Sequence, residues 1–132
     1  MIGDTSALVA IVTAEPGYER LLRAMAAAVD PALPASCLLE AHMVIRGRFP
    51  PEMTATLDGV VAETGLRIAA FTEAHAVLAR AAFDRYGKGR HPAGLNFGDC
   101  MAYAVAQAEG APLLFTGEDF AWTDVGVVGS VG

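Results

Sequence analysis

A short apolar run that ends in an acidic residue opens this chain and constrains how the chain can fold. Residues 1–3 lead directly to Asp4, and residues 5–12 continue as a largely apolar series typical of a helix. In an alternating α/β chain, this pattern predicts that Asp4 lies at the C-terminal end of a first strand. The crevice that binds ligands opens at that edge of the sheet.

Three later stretches repeat this arrangement. Residues 36–40, 96–99 and 116–119 each place an acid near the start of a helix or turn that follows a strand-like run. The C-terminal ends of parallel strands share one edge of a sheet, so we expect the acids to meet there. These acids are Asp4, Glu40, Asp99 and Asp119.

Length and composition favour a single domain, residues 1–132, with one core. Apolar residues make up 54% of the chain, but no apolar run approaches the roughly 20 residues that a membrane-spanning helix requires. The first residues lack the basic and apolar regions of a secretory signal, so we expect a cytoplasmic protein that has no contact with a membrane. Cys37 and Cys100 fall within predicted helices and are expected to be reduced, buried thiols.

Apolar periodicity and helix-capping residues predict the order of the elements. Ser36, Thr72 and Asn96 are expected to cap the helices that follow them. Helices are predicted over 4–12, 17–29, 36–48, 52–64, 72–86 and 96–109, strands over 1–3, 32–35, 66–71, 112–115 and 125–131, a turn over 116–120, and irregular structure over 87–94. The expected fold is a three-layer α/β/α domain whose central, mostly parallel sheet has four to five strands.

Each acid, taken alone, also fits a role in helix capping. Asp99 follows Asn96 by three residues and Asp119 follows Thr116 by three, which is the spacing of a capping box, and Asp4 could itself be an N-cap. Capping does not require that all the acids follow successive strands, so their joint arrangement favours a metal site. Ligands that are all oxygen select hard cations such as Mg²⁺ or Mn²⁺, and such a site suits hydrolysis of phosphodiesters.

The formal net charge of −6 argues against general electrostatic binding of nucleic acid. This objection weakens if acids bind metal, because removing the charges of the four carboxylates leaves a balance of −2. The basic segment formed by Arg85, Lys88, Arg90 and His91 could bind an RNA backbone or could be a solvated loop.

Four segments carry a resemblance to a known family. Residues 1–8, 35–41, 95–104 and 113–120 resemble the four acidic motifs of PIN domains and, more closely, those of the VapC-type toxins of bacterial toxin–antitoxin pairs. This resemblance implies an endoribonuclease that uses one or two Mg²⁺ or Mn²⁺ ions, cleaves structured RNA such as tRNA or rRNA, and inhibits translation. It also implies a homodimer and a cognate VapB-type antitoxin.

The resemblance also assigns roles to residues. Asp4, Glu40 and Asp99 match the three regular acidic positions, and Asp119 matches the fourth, for which the adjacent Glu118 is the alternative. Ser6 matches a hydroxyl position that supports the site by hydrogen bonding to an acid or a metal-bound water, and Thr116 is expected to have a supporting role as well. Gly3 departs from the pattern, since an apolar β-branched residue is usual there, but it is not a metal ligand.

Two other functions compete with the nuclease. A metal-dependent phosphatase of the haloacid dehalogenase type requires a second aspartate two residues after the first, and Ser6 occupies that position. A PIN-fold module that binds RNA or protein without catalysis would normally have lost at least one of the acids, and all of them are present in this chain.

Overall fold

A four-stranded parallel sheet forms the centre of the molecule. The computed structural model describes residues 1–128. The strands are β1 (Ile2–Gly3), β2 (Ala32–Pro34), β3 (Arg67–Ala69) and β4 (Leu113–Leu114), in the spatial order β3-β2-β1-β4. All three strand pairs are parallel. The predicted α/β class and mostly parallel sheet are confirmed.

Six α-helices flank the sheet and correspond to the six predicted helices. They are α1 (Thr5–Val12), α2 (Tyr18–Ala27), α3 (Ala35–Arg48), α4 (Met53–Glu63), α5 (Glu73–Tyr86) and α6 (Phe97–Glu109), and a 3₁₀ helix spans Asp119–Trp122. No helix among residues 1–128 is both long enough and apolar enough to cross a membrane.

The strands are only two or three residues long, and the residues that pair at the centre of the sheet are buried. Ile2 of β1 pairs with Ala32 of β2 and with Leu113 of β4, and all three side chains are fully buried. Burial on both faces is typical of parallel sheets that are covered by helices. Cys37 and Cys100 are free and buried, as expected, and burial raises the pKa of the Cys37 thiol to about 12.

Two of the three predicted helix caps are confirmed and one is wrong. The Thr72 and Asn96 side chains accept hydrogen bonds from backbone N–H groups at the starts of α5 and α6. Ser36 does not cap α3, since the helix begins at Ala35 directly after β2 and Pro34 occupies the N-cap position. Ser36 therefore lies inside the first turn, and its buried hydroxyl has no hydrogen-bond partner among the described residues.

The predicted final strand, residues 125–131, does not form as a strand in the part that the structure describes. Within 125–128, Val127 makes one isolated parallel bridge to Leu113. Residues 129–131 of this prediction lie outside the described residues. Residues 87–94 are irregular, as predicted, apart from a bridge between Gly87 and Leu95.

Candidate active site

Asp4 occupies the C-terminal end of β1 and is the N-cap of α1. One carboxylate oxygen, Oδ2, accepts hydrogen bonds from the Ser6 backbone N–H at 3.1 Å and from the Ser6 hydroxyl at 2.7 Å. The other oxygen, Oδ1, is buried and has no partner in the described residues. Only 3% of Asp4 is exposed, and this burial raises the pKa of its carboxyl above the ordinary value.

Ser6 connects the first and last strands of the sheet at this edge. Its hydroxyl oxygen accepts a hydrogen bond of 3.0 Å from the backbone N–H of Thr116, the second residue after β4. The same hydroxyl donates to Asp4. Both residues predicted to support the site therefore lie beside Asp4, and Thr116 acts through its backbone.

Asp99 caps α6 and also lies among the acids. Its Oδ2 accepts from the Asn96 backbone N–H at 3.1 Å, and the Asn96 side chain accepts from the Asp99 backbone N–H at 2.9 Å. Burial, together with the negative charges of Asp4, Asp119 and Glu40, raises the pKa of Asp99 to about 6. The capping interpretation and the shared-cleft interpretation of Asp99 are both correct.

Glu40 reaches the same place from the second turn of α3. Its carboxylate lies so close to Gly98 of α6 that a Cβ atom at Gly98 would overlap both carboxylate oxygens. Asp4, Glu40 and Asp99 line a cleft of about 250 Å³, to which Ser6 and Thr116 also contribute. Three of the four predicted acids therefore share one small cleft at the C-terminal edge of the sheet.

Asp119 and Glu118 differ in where they lie. Asp119 is exposed at the start of the 3₁₀ helix and does not line the cleft, but it is near enough for its charge to raise the pKa of Asp99. Glu118 instead lines a separate cavity with Leu21 of α2 and Leu114 of β4. The geometry thus favours Asp119 over Glu118 as the fourth acid.

The predicted basic segment does not line the cleft. Arg85 forms an ion pair with Asp124 at 3.4 Å, and Arg90 lies over the ring of Phe83. The His91 ring packs edge-on against Tyr86, and Lys88 is exposed. A role for Arg85, Lys88, Arg90 and His91 in binding RNA stays a prediction.

Sequence reasoning missed two charged residues that line the cleft, Arg48 and Glu15. Glu40, Val44 and Arg48 recur every four residues, which places them along one face of α3. This spacing was the available signal for Arg48. Glu15 follows the end of α1, and no periodic pattern marked it.

The donor chemistry of the cleft fits a hard divalent cation. Within residues 1–128, no three acidic, histidine or cysteine side chains are already close enough to form a complete metal centre. However, the cleft supplies carboxylate and hydroxyl oxygens, and Asp4 Oδ1 is a buried acceptor that has no donor among residues 1–128. Such an oxygen needs a cation or a proton, and oxygen ligands suit Mg²⁺ or Mn²⁺.

A match to a protein-family model spans most of the chain. It agrees with the parallel sheet and with the acids that lie at the C-terminal edge of that sheet. A family model described as the PIN domain matches residues 1–125. The chain belongs to the PIN-domain family.

Individual relatives place the chain more narrowly within this family. Ribonuclease VapC36 of Mycobacterium tuberculosis is 44% identical over 100% of this chain and 96% of its own length. Ribonuclease VapC of Mycolicibacterium smegmatis is 45% identical over 97% of this chain and 99% of its own length. The chain therefore belongs with the VapC-type ribonucleases of this family, which confirms the predicted resemblance.

A solved structure supports the fold independently. The crystal structure of Mycobacterium tuberculosis VapC20, described as a Sarcin-Ricin loop cleaving toxin, superposes with a TM-score of 0.78. The match covers 96% of this chain and 97% of that chain, at 18% sequence identity. At this identity, the likeness bears on the fold alone.

Proposed function

We propose that this protein is an endoribonuclease that depends on Mg²⁺ or Mn²⁺ and acts as the toxin of a type II toxin–antitoxin pair. The observation that carries the proposal is the buried Oδ1 of Asp4, which has no hydrogen-bond partner in the described part of the chain and lies in a cleft that Glu40 and Asp99 also line. Three negative side chains in so small a space repel one another unless a cation or protons neutralise them. A divalent cation is the neutralising group that also serves cleavage of a phosphodiester.

Each residue of the cleft has a distinct part in this proposal. Asp4, Glu40 and Asp99 hold one or two cations, and Asp119 approaches from the 3₁₀ helix as a further acid. When bound, the cation lowers the pKa of a water molecule and neutralises charge that develops on the scissile phosphate. Ser6 orients the Asp4 carboxylate by donating to Oδ2, which leaves Oδ1 for the cation.

The substrate proposed is structured RNA, either tRNA or rRNA, whose cleavage inhibits translation. Relatives that match nearly the whole chain are named ribonucleases, and the structural neighbour is described as cleaving the Sarcin-Ricin loop. We further propose a cognate VapB-type antitoxin, a homodimer and a cytoplasmic location. A net charge of −6 favours RNA contacts that are concentrated near the cleft over a broad basic surface.

Cleavage and metal binding test this proposal separately. We expect Mg²⁺ or Mn²⁺ to support cleavage of bulk tRNA and rRNA by the wild type and EDTA to stop it. Asp4→Asn and Asp99→Asn should each lose activity by at least about a hundredfold while unfolding remains cooperative. Sequencing the 5′ ends of RNAs after induction in cells would identify the cut site.

Thermal melts report on the cation without relying on cleavage. A ligand that binds only the folded state raises the melting temperature, so MgCl₂ or MnCl₂ should raise that of the wild type. The same salts should have much less effect on Asp4→Asn. Metal-dependent cleavage retained in both the Asp4 and Asp99 variants would reject the assignment of the site, and a folded wild type without cleavage would favour a binding module.

A further inference from the structure

We propose that Tyr103 is a positioning residue of the active site, because it holds the second end of the segment that brings Asp119 to the other acids. This segment, residues 116–124, is called the Asp119 segment below. The inference rests on the proposed ribonuclease function and adds a residue to it. Tyr103 does not line the acidic cleft, so its effect on the reaction is indirect and acts through Asp119.

Asp119 lies on an exposed stretch of the chain. Residues 116–119 are all exposed, and Asp119 is the first residue of the 3₁₀ helix. Its charge nevertheless acts on Asp99. Mg²⁺ requires nearly ideal octahedral geometry, with ligand oxygens at about 2.0–2.1 Å. An acid on an exposed stretch can meet this requirement only where the backbone on both sides of it is held.

The first end of the Asp119 segment is held by β1 and the core. The Thr116 N–H donates a hydrogen bond of 3.0 Å to the hydroxyl of Ser6, which follows β1. Directly after Asp119, the Phe120 ring is buried and packs edge-on against Phe115, with 4.9 Å between the ring centroids. These contacts fix the start of the segment against the first strand.

The second end of the Asp119 segment is held by α6. The Tyr103 hydroxyl donates a hydrogen bond to the Asp124 carboxylate and accepts one of 3.1 Å from Gln107. Tyr103 lies one turn after Asp99 on this helix, and only 6% of it is exposed. One helix therefore carries both Asp99 and the group that holds the segment. The position of Asp119 relative to Asp99 depends on the hydrogen bond between Tyr103 and Asp124.

Tyr103 holds Asp124 more firmly than Arg85 does. Arg85 approaches Asp124 at 3.4 Å, but 65% of the arginine side chain is exposed, and such pairs contribute little. The hydrogen bond from Tyr103 is partly buried and is strengthened by the charge of the carboxylate. The Tyr103 ring also packs against Tyr86, with 5.9 Å between centroids. Tyr103→Phe therefore removes the hydroxyl and keeps the packed ring.

Trp122 provides a test that does not depend on cleavage. It is the one tryptophan of the chain and lies in the 3₁₀ helix, three residues after Asp119. Loop motions begin in the nanosecond range, which the decay of tryptophan fluorescence anisotropy measures. We expect Tyr103→Phe and Asp124→Ala each to increase the fast component of this decay, because both remove the hydrogen bond and release the second end of the segment.

A double variant tests whether Tyr103 acts through Asp119. Loss of an outer residue that orients a metal ligand commonly lowers metal affinity or activity by about 10–100-fold. We expect Tyr103→Phe to slow RNA cleavage about tenfold and to raise the Kd for Mn²⁺, measured from free Mn²⁺ by electron paramagnetic resonance. Asp119→Asn should slow cleavage at least as much. Adding Tyr103→Phe to Asp119→Asn should then have no further effect on either quantity.

Matched variants separate positioning from general stability. Asp124→Asn keeps an oxygen that accepts from Tyr103, so it should retain most of the cleavage activity and the slow anisotropy decay. Gln107→Ala removes the other hydrogen bond of the Tyr103 hydroxyl and should do the same. Thr72→Ala destabilises the fold by removing the cap of α5. It should alter neither cleavage nor the anisotropy of Trp122.

The outcomes distinguish this proposal from the proposed function. Cleavage by the wild type reports on the ribonuclease, and Trp122 reports on how the Asp119 segment is held, so failure of one is distinguishable from failure of the other. Unchanged anisotropy or unchanged cleavage in Tyr103→Phe overturns the proposal, as does wild-type cleavage by Asp119→Asn. Losses that multiply in the double variant, or equal losses in Thr72→Ala, overturn it as well, because Tyr103 would then only stabilise the fold.

Discussion

At the scale of single residues, the acids of the cleft combine a local structural role with a shared electrostatic one. Asp4 and Asp99 both accept backbone hydrogen bonds at the start of a helix, which favours the ionised carboxylate. Burial and neighbouring negative charges oppose ionisation more strongly, so the pKa of each is raised. Without a cation, the ionised acids therefore reduce the stability of the fold.

Replacing Asp99 with asparagine tests this balance. The pKa of Asp99 is about 6 in the folded protein against an ordinary value of 3.8, so the native state keeps this proton to higher pH than the unfolded state does. In EDTA, the free energy of unfolding of the wild type should therefore fall as the pH rises from 3.8 to about 6. Above that range, ionisation of Asp99 should change it little further. Asp99→Asn keeps an acceptor oxygen for the Asn96 N–H and removes this contribution.

We therefore expect Asp99→Asn to melt at a higher temperature than the wild type at neutral pH in EDTA, with a flatter pH profile. Asp58→Asn is the matched control, because Asp58 is exposed on α4 and should alter the melting temperature little at any pH. Melting curves between about pH 4 and pH 7 would provide the comparison. A variant that is less stable than the wild type at neutral pH would contradict the repulsion argument.

Gly98 offers a second test at the residue scale. An added methyl group in Gly98→Ala would overlap the Glu40 carboxylate, which must then move out of the cleft. Because the end of a glutamate side chain is flexible, we expect stability to change by less than about 1 kcal/mol while RNA cleavage falls at least about tenfold.

Gly59→Ala in α4 is the control for Gly98→Ala, since a Cβ atom there meets open space. This change should stabilise the protein by roughly 0.5–1 kcal/mol, as expected for glycine in a helix, and leave cleavage unchanged. Chemical denaturation and cleavage rates of both variants give the result. Full activity of Gly98→Ala would show that cleavage does not need Glu40 in its observed position.

At the scale of elements, the helix ends determine where the chain returns to the cleft. Helix α1 is followed by Ala14, whose φ of 52° is left-handed, and the next N–H, from Glu15, bonds to the Ala10 carbonyl. This turn leads to Glu15, which lines the cleft. A non-glycine residue in this conformation is strained by roughly 1–2 kcal/mol.

Ala14→Gly should relieve part of this strain and stabilise the protein by about 0.5–1 kcal/mol. The reverse change is available in the same chain, because Gly110 ends α6 with a φ of 60° and open space around it. Gly110→Ala should destabilise the fold by a similar amount. Urea unfolding of both variants would measure the two effects, and the same sign for both would contradict this account of the helix ends.

At the scale of the whole molecule, the cleft depends on contacts between residues far apart in the chain. Ser6 and Thr116 are separated by 110 positions and connect the edge of β1 to that of β4. Glu40 of α3 meets Gly98 of α6 across the same edge. The cleft can therefore form only when the sheet and its covering helices are assembled.

Ser6→Ala removes a donor to Asp4 and leaves the Thr116 N–H without its acceptor. We expect a loss of about 1–3 kcal/mol in the free energy of unfolding, together with slower cleavage, because Asp4 loses its orienting partner. Denaturant titration and cleavage assays on the same preparation would test both effects.

Ser36→Ala is the matched control for Ser6→Ala, since the Ser36 hydroxyl is buried without a partner among the described residues. Its removal should leave the free energy of unfolding unchanged or slightly higher, because no hydrogen bond is lost. Equal destabilisation by the two serine substitutions would show that the connection between the strands has no special role.

The sequence by itself determined those features that depend on neighbours along the chain. Helices appear at their predicted positions because apolar periodicity and capping residues such as Thr72 and Asn96 act within a few residues. Asp4 and Glu40 follow β1 and β2 for the same reason, so their meeting at one edge was predictable. Asp99 reaches the same edge although the irregular residues 87–94, rather than a strand, precede its helix, and Asp119 does not line the cleft. Ser36 shows the limit of this reasoning, because Pro34 starts the helix earlier than the capping pattern indicates.

Only the tertiary structure decided which side chains actually share the cleft. Arg48 and Glu15 line it, Glu118 lines another cavity, and the basic segment does not line the cleft. The physical reason is that these outcomes depend on how α3 and α6 pack against each other and on the turns after α1 and β4. Such contacts join distant residues, and no local pattern in the chain encodes them.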